Sequence, residues 1–188
     1  MGKIVISMNV SLDGVVQDPD GAEGTVHGGW FTRAGGGDLE TWAKVELDEA
    51  LAAEALLLGR RSDEWFATRW LSRDGAWADR LNALPKYIVS TTLQQARWSN
   101  GTVLRGEVAD EVTELKRRIG GDIVVYGSVR LVRALMDHDL VDEVRLMTFP
   151  IVAGGGERLF GDGEKALRLA DVRRVGDGLI LLTYRPVH

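Results

Sequence analysis

The sequence predicts an α/β protein with a mostly parallel sheet and an antiparallel C-terminal hairpin. Two observations predict it: apolar, β-branched runs alternate with amphipathic helical patterns, and the last two runs meet at Gly176-Asp177-Gly178. Helical crossovers between strands place them parallel, whereas a short glycine-rich join reverses the chain. A third observation bears on extent. A chain of 188 residues, 45% hydrophobic and 27% charged, can bury one substantial core, and no linker-like composition interrupts it. Residues 1–188 are therefore expected to form a single domain.

Taken in order, Lys3 to Val10 alternates and is β-branched, which predicts a first strand. The stretch "SLDGVVQDPDGAEGTVHGGWFTRAGGGD" then runs long and glycine-rich without helical period, and such stretches in compact domains are usually functional. Val45, Leu47, Leu51 and Ala55 approximate one helical face. "ALLLGRRSDEWFA" reads as a short buried strand leading into a second helix, which Ser62 or Asp63 could cap. "KYIVSTTL" is another apolar strand that breaks at hydroxyl residues, and "GTVLRG" is a weaker strand. Val108, Val112, Leu115 and Ile119 fall at i, i+4, i+7 and i+11, a helical stripe closed by Gly120 and Gly121. Ile123 to Tyr126 predicts a strand, and Leu131, Val132, Leu135 and Met136 share the face of a helix behind it. "VDEVRLMTFPIVAGGG" gives a strand ended by Pro150, and "ALRLADVRRVGDGLILLTYRPV" gives the two hairpin strands.

Composition removes several classes of function. The net charge of -5 leaves no global positive field for nucleic acid or an anionic membrane. The apolar part of "MGKIVISMNV" is far shorter than the roughly 20 residues of a membrane span, so it is expected to be a strand and not a leader. Cysteine is absent, which excludes disulfides, thiolate metal sites and cysteine nucleophiles, and fits a cytoplasmic location. His27, His138 and His188 lack metal-ligand spacing, so no metal is expected. Neither a G-x-S-x-G elbow nor a Walker loop occurs. "GDGEKA" matches G-x-G-x-x-A, but "LRLADV" behind it alternates like a strand, so it is expected to be a surface turn.

Three apolar strands end at small or basic residues: Gly59-Arg60-Arg61, Ser90-Thr91-Thr92 and Gly127-Ser128. Carboxyl ends of parallel strands line a crevice, and the helices that follow present free N–H groups and a positive dipole end there. Glycine and serine also serve strand-to-helix turns with no ligand at all, so it is the three ends together that suggest an anion site. Asp13-Gly14 either makes a turn or offers a carboxylate to the N–H groups of a substrate. Trp30 and Phe31 either wall a flat heterocycle or anchor the loop to the core.

The segments "ISMNVSLDGVV", "LLLGRRSDEWF", "KYIVSTT", "DIVVYGSVRLVRAL" and "VDEVRLMTFPIVAGGGERLF", in this order, resemble the dihydrofolate reductase-like superfamily. In particular the chain resembles stand-alone relatives of the reductase domain of the bifunctional riboflavin-biosynthesis deaminase/reductase. The resemblance implies a central sheet of about eight strands that binds NADPH without a Rossmann glycine fingerprint. It implies that Gly59, Arg60, Arg61, Ser90 and Thr91 flank the adenosine 2′-phosphate, and that Gly127, Ser128 and Val129 cradle the pyrophosphate. It further implies Asp13 as the catalytic, substrate-positioning carboxylate, with Trp30 and the glycine-rich loop as a substrate lid. The implied reaction is reduction of a small heterocyclic or ribosylamino-pyrimidine substrate by a homodimer, similar to 5-amino-6-(5-phosphoribosylamino)uracil reductase. Dihydrofolate or pteridine reduction is the alternative, and a non-catalytic nucleotide-binding protein is the alternative of another class. Ordinary dihydrofolate reductases carry two or more glycines where this chain has Gly127-Ser128, so Ser128 either donates a bond to phosphate or crowds it.

Overall fold

The structure, a computed structural model, describes residues 1–187, and His188 lies outside the described residues. In chain order the elements are β1 (Lys3–Ser11), α1 (Trp30–Gly35), α2 (Leu39–Ala52), β2 (Ala55–Gly59), α3 (Arg60–Trp70), α4 (Ala76–Ala83), β3 (Lys86–Val89), β4 (Gly101–Leu104), α5 (Val108–Arg118), β5 (Asp122–Tyr126), α6 (Val129–Asp137), β6 (Glu143–Phe149), β7 (Leu167–Val175) and β8 (Leu179–Pro186). The strands form one sheet in the order β4-β3-β2-β5-β1-β6-β8-β7. β4, β3, β2 and β5 are successive parallel neighbours, whereas β8 is antiparallel to both β6 and β7. The fold class is therefore the one the sequence predicts, closed by a hairpin at 176–178.

Two short helices depart from expectation. The long glycine-rich stretch contains α1, because Trp30 is wholly buried against Phe149 and donates Nε1–H to the Gln17 carbonyl at 3.1 Å. Six residues carry too little periodicity to reveal a helix that tertiary burial imposes. Helix α4 was unforeseen for a similar reason, since it buries only Ala78 and Leu81. The expected cap of α3 is also corrected. The helix starts at Arg60 directly after Gly59, so Ser62 and Asp63 lie within its first turn and bond elsewhere.

Close contacts divide the chain into two compact units, Met1–Ile6 with Leu47–Asp142 and Ser7–Glu46 with the residues from Glu143 onward. The first is cored by Leu56, Leu58, Leu81, Leu84, Trp98 and Val124. The second is cored by Trp30, Val45, Met147, Phe149, Val175 and Leu179. Among the described residues no helix is long and apolar enough to cross a membrane.

A polar knot stiffens the first core. Lys86 is buried; its ammonium donates to the carbonyls of Asn82 at 2.9 Å and Leu84 at 2.8 Å and sits 4.5 Å from the centre of the Trp98 ring. Asp63, also fully buried, accepts the N–H groups of Arg97 at 2.7 Å and Trp98 at 3.0 Å. Burial pushes the Lys86 ammonium down to about 8, against the pull of the Asp63 charge. Its folded pKa lies below the unfolded one, so the unfolded chain holds the proton more tightly between about 8 and 10.5. Stability linked to Lys86 is accordingly absent below that window and grows as pH rises through it. Urea unfolding of wild type and Lys86→Met at pH 7.5 and pH 10 checks this: the wild type should gain stability relative to the variant at the higher pH.

Candidate functional site

In the first unit one hydroxyl draws two strand-to-helix joins together. β2 and β5 are parallel neighbours, with Leu56 beside Val124, so α3 and α6 start from the same edge of the sheet. Gly127 has φ 59° and Ser128 has φ 59°, ψ 42°, two left-handed residues in succession. For serine that region costs about 1 kcal/mol or more and needs something to hold it. The Gly59 N–H donates to Ser128 Oγ at 2.9 Å, and Ser62 Oγ lies 2.8 Å from the same oxygen. A Cβ on Gly127 would meet Ser62 Oγ at 3.0 Å, so glycine is needed there for both φ and space. The Ser128 hydroxyl is thus committed to the neighbouring join.

The charges at this edge run against the helix dipole. Helix α5 follows the usual pattern, with Asp110 and Glu111 in its first turn and Lys116, Arg117 and Arg118 in its last. Helix α6 has no acid in its first turn, where Arg130 is exposed, and no base in its last. Helix α3 opens on Arg60 and Arg61, both exposed, with Asp63 turned inward to the 97–98 loop. Arg60 reaches Glu64 at 3.5 Å, a half-exposed pair that contributes little. A like charge at a helix N-terminus costs about 0.3–1 kcal/mol, and an anion bound there would reverse the sign.

The join after β3 is the third member. Gly59 stands beside Val89 in register, so Ser90 follows on the adjacent strand. The Ser90 N–H donates to the Leu104 carbonyl at 3.0 Å, and its Oγ accepts from Thr92 at 3.3 Å and Leu93 at 3.1 Å, which shapes the turn and leaves Thr91 exposed. Gly59, Arg60, Arg61, Ser90, Thr91, Gly127, Ser128 and Val129 therefore lie at the ends of three neighbouring parallel strands of the first unit. Sequence reasoning missed Ser62 and Arg130. Arg130 was legible as a cation where a helix favours acids; Ser62 was not, because its partner is 66 residues away.

Asp13 and Trp30 belong to the second unit. Asp13 Oδ1 accepts from Ser11 Oγ at 2.7 Å and Ala153 N–H at 2.9 Å, and Oδ2 accepts from Gly154 N–H at 2.9 Å. Those bonds, the Ser11 hydroxyl foremost, hold its carboxyl down to about 2. It is an acceptor at neutral pH and no proton donor. His27 Nδ1 meets the Ala153 carbonyl at 3.0 Å, so Asp13, through the Gly154 N–H, and His27 hold the two sides of the Ala153–Gly154 peptide. Trp30 has no exposed surface and so no free face for a heterocycle; the ring anchors its loop. Among the described residues no group of three or more His, Cys, Asp or Glu side chains is placed to hold a metal ion.

A sheet of this order with flanking helices defines the dihydrofolate reductase-like class. Two solved structures align along nearly their whole length: a putative riboflavin biosynthesis protein from Shewanella sp. PV-4, with a TM-score of 0.76 and 19% identity over 99% of each chain, and dihydrofolate reductase from Enterococcus faecalis complexed with NADP(H), with 0.58 and 12% over 98% and 96%. Within that class the chain belongs to the RibD C-terminal domain family, whose model matches residues 2–181. It also aligns, at a TM-score of 0.66 and 15% identity, over 99% of its length with the Thermotoga maritima diaminohydroxyphosphoribosylaminopyrimidine deaminase/5-amino-6-(5-phosphoribosylamino)uracil reductase, spanning 57% of that longer chain. An uncharacterized Bacillus subtilis (strain 168) protein, YyaP, is 25% identical, with 97% of this chain and 94% of that protein covered.

Asp13 titrates below its ordinary value in the folded protein, so its contribution to stability is present above the unfolded value of 3.8 and fades as pH falls towards about 2. Asp13→Asn turns an N–H donor toward one of the loop N–H groups and should remove that acid dependence. Hydrogen exchange at Ala153 and Gly154 should quicken in the variant at pH 7, which mass spectrometry reads directly.

Proposed function

We propose that this protein is an NADPH-dependent reductase of a small heterocyclic or ribosylamino-pyrimidine substrate, akin to 5-amino-6-(5-phosphoribosylamino)uracil reductases, with residues 1–188 working as one cytoplasmic domain. The observation that carries this reading is the pair of helix N-termini joined through Ser128 and lined with Arg60, Arg61 and Arg130. The donor set fits the cofactor's phosphates. The first turns of α3 and α6 each offer backbone N–H groups without intrahelical partners, and the guanidinium groups match a phosphate monoester. Support for the fold's use of such a cofactor comes from the dihydrofolate reductase complexed with NADP(H). Support for the substrate class comes from the family and from the Thermotoga enzyme's uracil-reductase half.

On this reading Arg60 and Arg61, with Ser90 and Thr91, hold the 2′-phosphate, while Gly127, Ser128 and Val129 present α6 to the pyrophosphate. Bound NADPH would supply the hydride. Asp13 accepts substrate N–H groups on the free side of Oδ2, which the Gly154 N–H leaves open to a second donor. The proton that completes the reduction comes from another donor, since the Asp13 carboxyl is ionised at neutral pH. Trp30 enters as the anchor of the glycine-rich loop.

The test is a fluorescence titration with NADPH and with NADH, read through the six tryptophans. Tight binding that prefers NADPH is expected. Charge-assisted bonds to a phosphate are worth about 1.5–3 kcal/mol, so Arg60→Ala with Arg61→Ala should weaken NADPH about 10- to 100-fold and NADH far less. Equal losses for both cofactors would remove these arginines from the 2′-phosphate. Steady-state NADPH consumption with ribosylamino-pyrimidines and with dihydrofolate then separates the leading reading from folate reduction, and no turnover with tight binding would leave a nucleotide-binding protein.

A further inference from the structure

Ser11 ends β1 and is 2% exposed, which shields its hydroxyl from water. Main chain and side chain together close the turn that follows. The Ser11 N–H donates to the Val15 carbonyl at 3.0 Å, the Gly14 N–H donates to the Ser11 carbonyl at 3.0 Å, and the Val15 N–H donates to Ser11 Oγ at 2.9 Å. A serine oxygen that accepts such an N–H turns its own hydrogen elsewhere, and the acceptor at hand is Asp13 Oδ1 at 2.7 Å. The direction of that bond is thereby fixed, with Ser11 as the donor. The charged and titratable side chains that pack on the same loops reach main-chain oxygens: Arg158 Nε donates to the Asp13 carbonyl at 2.9 Å, and His27 meets the Ala153 carbonyl.

We infer that Ser11 is a positioning residue of the proposed substrate site: its hydroxyl fills Oδ1 of Asp13 and sets the plane in which Oδ2 meets the substrate's N–H groups. Oδ1 takes two donors, Ser11 Oγ and the Ala153 N–H, whereas Oδ2 takes one among the described residues, the Gly154 N–H. An ionised carboxyl has about two acceptor sites on each oxygen, so the vacancy falls on Oδ2. Two N–H groups of one loop leave a carboxylate able to pivot about its last side-chain bond, and a third donor from the opposite loop fixes its plane. Ser11 supplies that third donor. The same bond is foremost among those that hold the Asp13 carboxyl down to about 2, so the open oxygen is an anionic acceptor at neutral pH. Such an acceptor selects a ligand that offers N–H groups and no negative charge at that point, as the amino and ring N–H groups of a pyrimidine do. The inference rests on the proposed function, in which Asp13 meets the substrate, and adds the residue that orients it.

Steady-state kinetics with NADPH and 5-amino-6-(5-phosphoribosylamino)uracil test this over Ser11→Ala, Ser11→Thr, Asp13→Asn and the Ser11→Ala/Asp13→Asn pair. Ser11→Ala should raise KM about 10-fold with a smaller change in kcat, and Ser11→Thr, which keeps the hydroxyl, should restore most of that loss. In the Asp13→Asn background Ser11→Ala should add little, because its effect passes through the carboxylate. A serine that only closed the turn would cause the same loss in both backgrounds, and would lower kcat through the folded fraction with KM intact. A second readout needs no substrate. The Asp13 carboxyl resonance, followed by carbon-13 NMR, should titrate at about 2 in the wild type and move up towards 3.8 in Ser11→Ala. An unmoved titration, or equal losses in the two backgrounds, would overturn the inference and leave the reductase reading standing. No turnover by the wild type, with the titration moving as expected, would remove the pyrimidine reading and the substrate role of Ser11 with it.

Discussion

Loops that cross a core must place their main-chain N–H groups somewhere, and in this protein aspartate carboxylates take them two at a time. Asp13 holds Ala153 and Gly154, Asp38 holds Asp177 and Gly178, Asp63 holds Arg97 and Trp98, and Asp18 holds Glu23 and Thr25. A carboxylate has two oxygens whose spacing suits two nearby N–H groups, and an ionised acceptor makes each bond stronger than a neutral one would. For Asp13, Asp18 and Asp38 those bonds pull the carboxyl below its ordinary value. Asp13, Asp18 and Asp38 are therefore held as acceptors. Proton delivery in the proposed chemistry has to be sought outside these three.

The same constraint explains what was legible in the sequence. Helix α5 and the strands β2, β3 and β5 announce themselves because period and β-branching are local properties, and the final hairpin because Gly176 at φ 64° supplies its turn locally. Helices α1 and α4 do not, since their residues become helical through burial of Trp30 in one case and of Ala78 and Leu81 in the other. That the three strand ends lie side by side could be anticipated because small and basic residues at the ends of apolar runs are a local signal too. The role of Ser128 could not be. Whether its hydroxyl bonds a ligand or another part of the chain depends on Gly59 and Ser62, which are 69 and 66 residues distant.

The contacts of Ser128 also show why a serine can stand in a left-handed turn that glycine enters more easily. Glycine would enter the left-handed region without strain, whereas serine pays that strain and in return ties the first turn of α6 to the end of β2. The tie fixes two N-termini at one place, which a glycine pair leaves to the flanking strands alone. On the proposed reading, two joins tied in this way leave less ordering for a bound phosphate to impose.

The contrast among the helices decides how that rigidity is best understood. Helix α5 obeys the dipole at both ends, so nothing in the composition of this chain prevents acids from being placed at N-termini. At α3 and α6 the exposed first-turn positions carry Arg60, Arg61 and Arg130. A turn that only had to connect strand to helix would be served better by the α5 pattern. Cations gathered on two joined N-termini are destabilising by themselves and stabilising around an anion, and that difference in sign is the physical ground on which we propose this edge for phosphate.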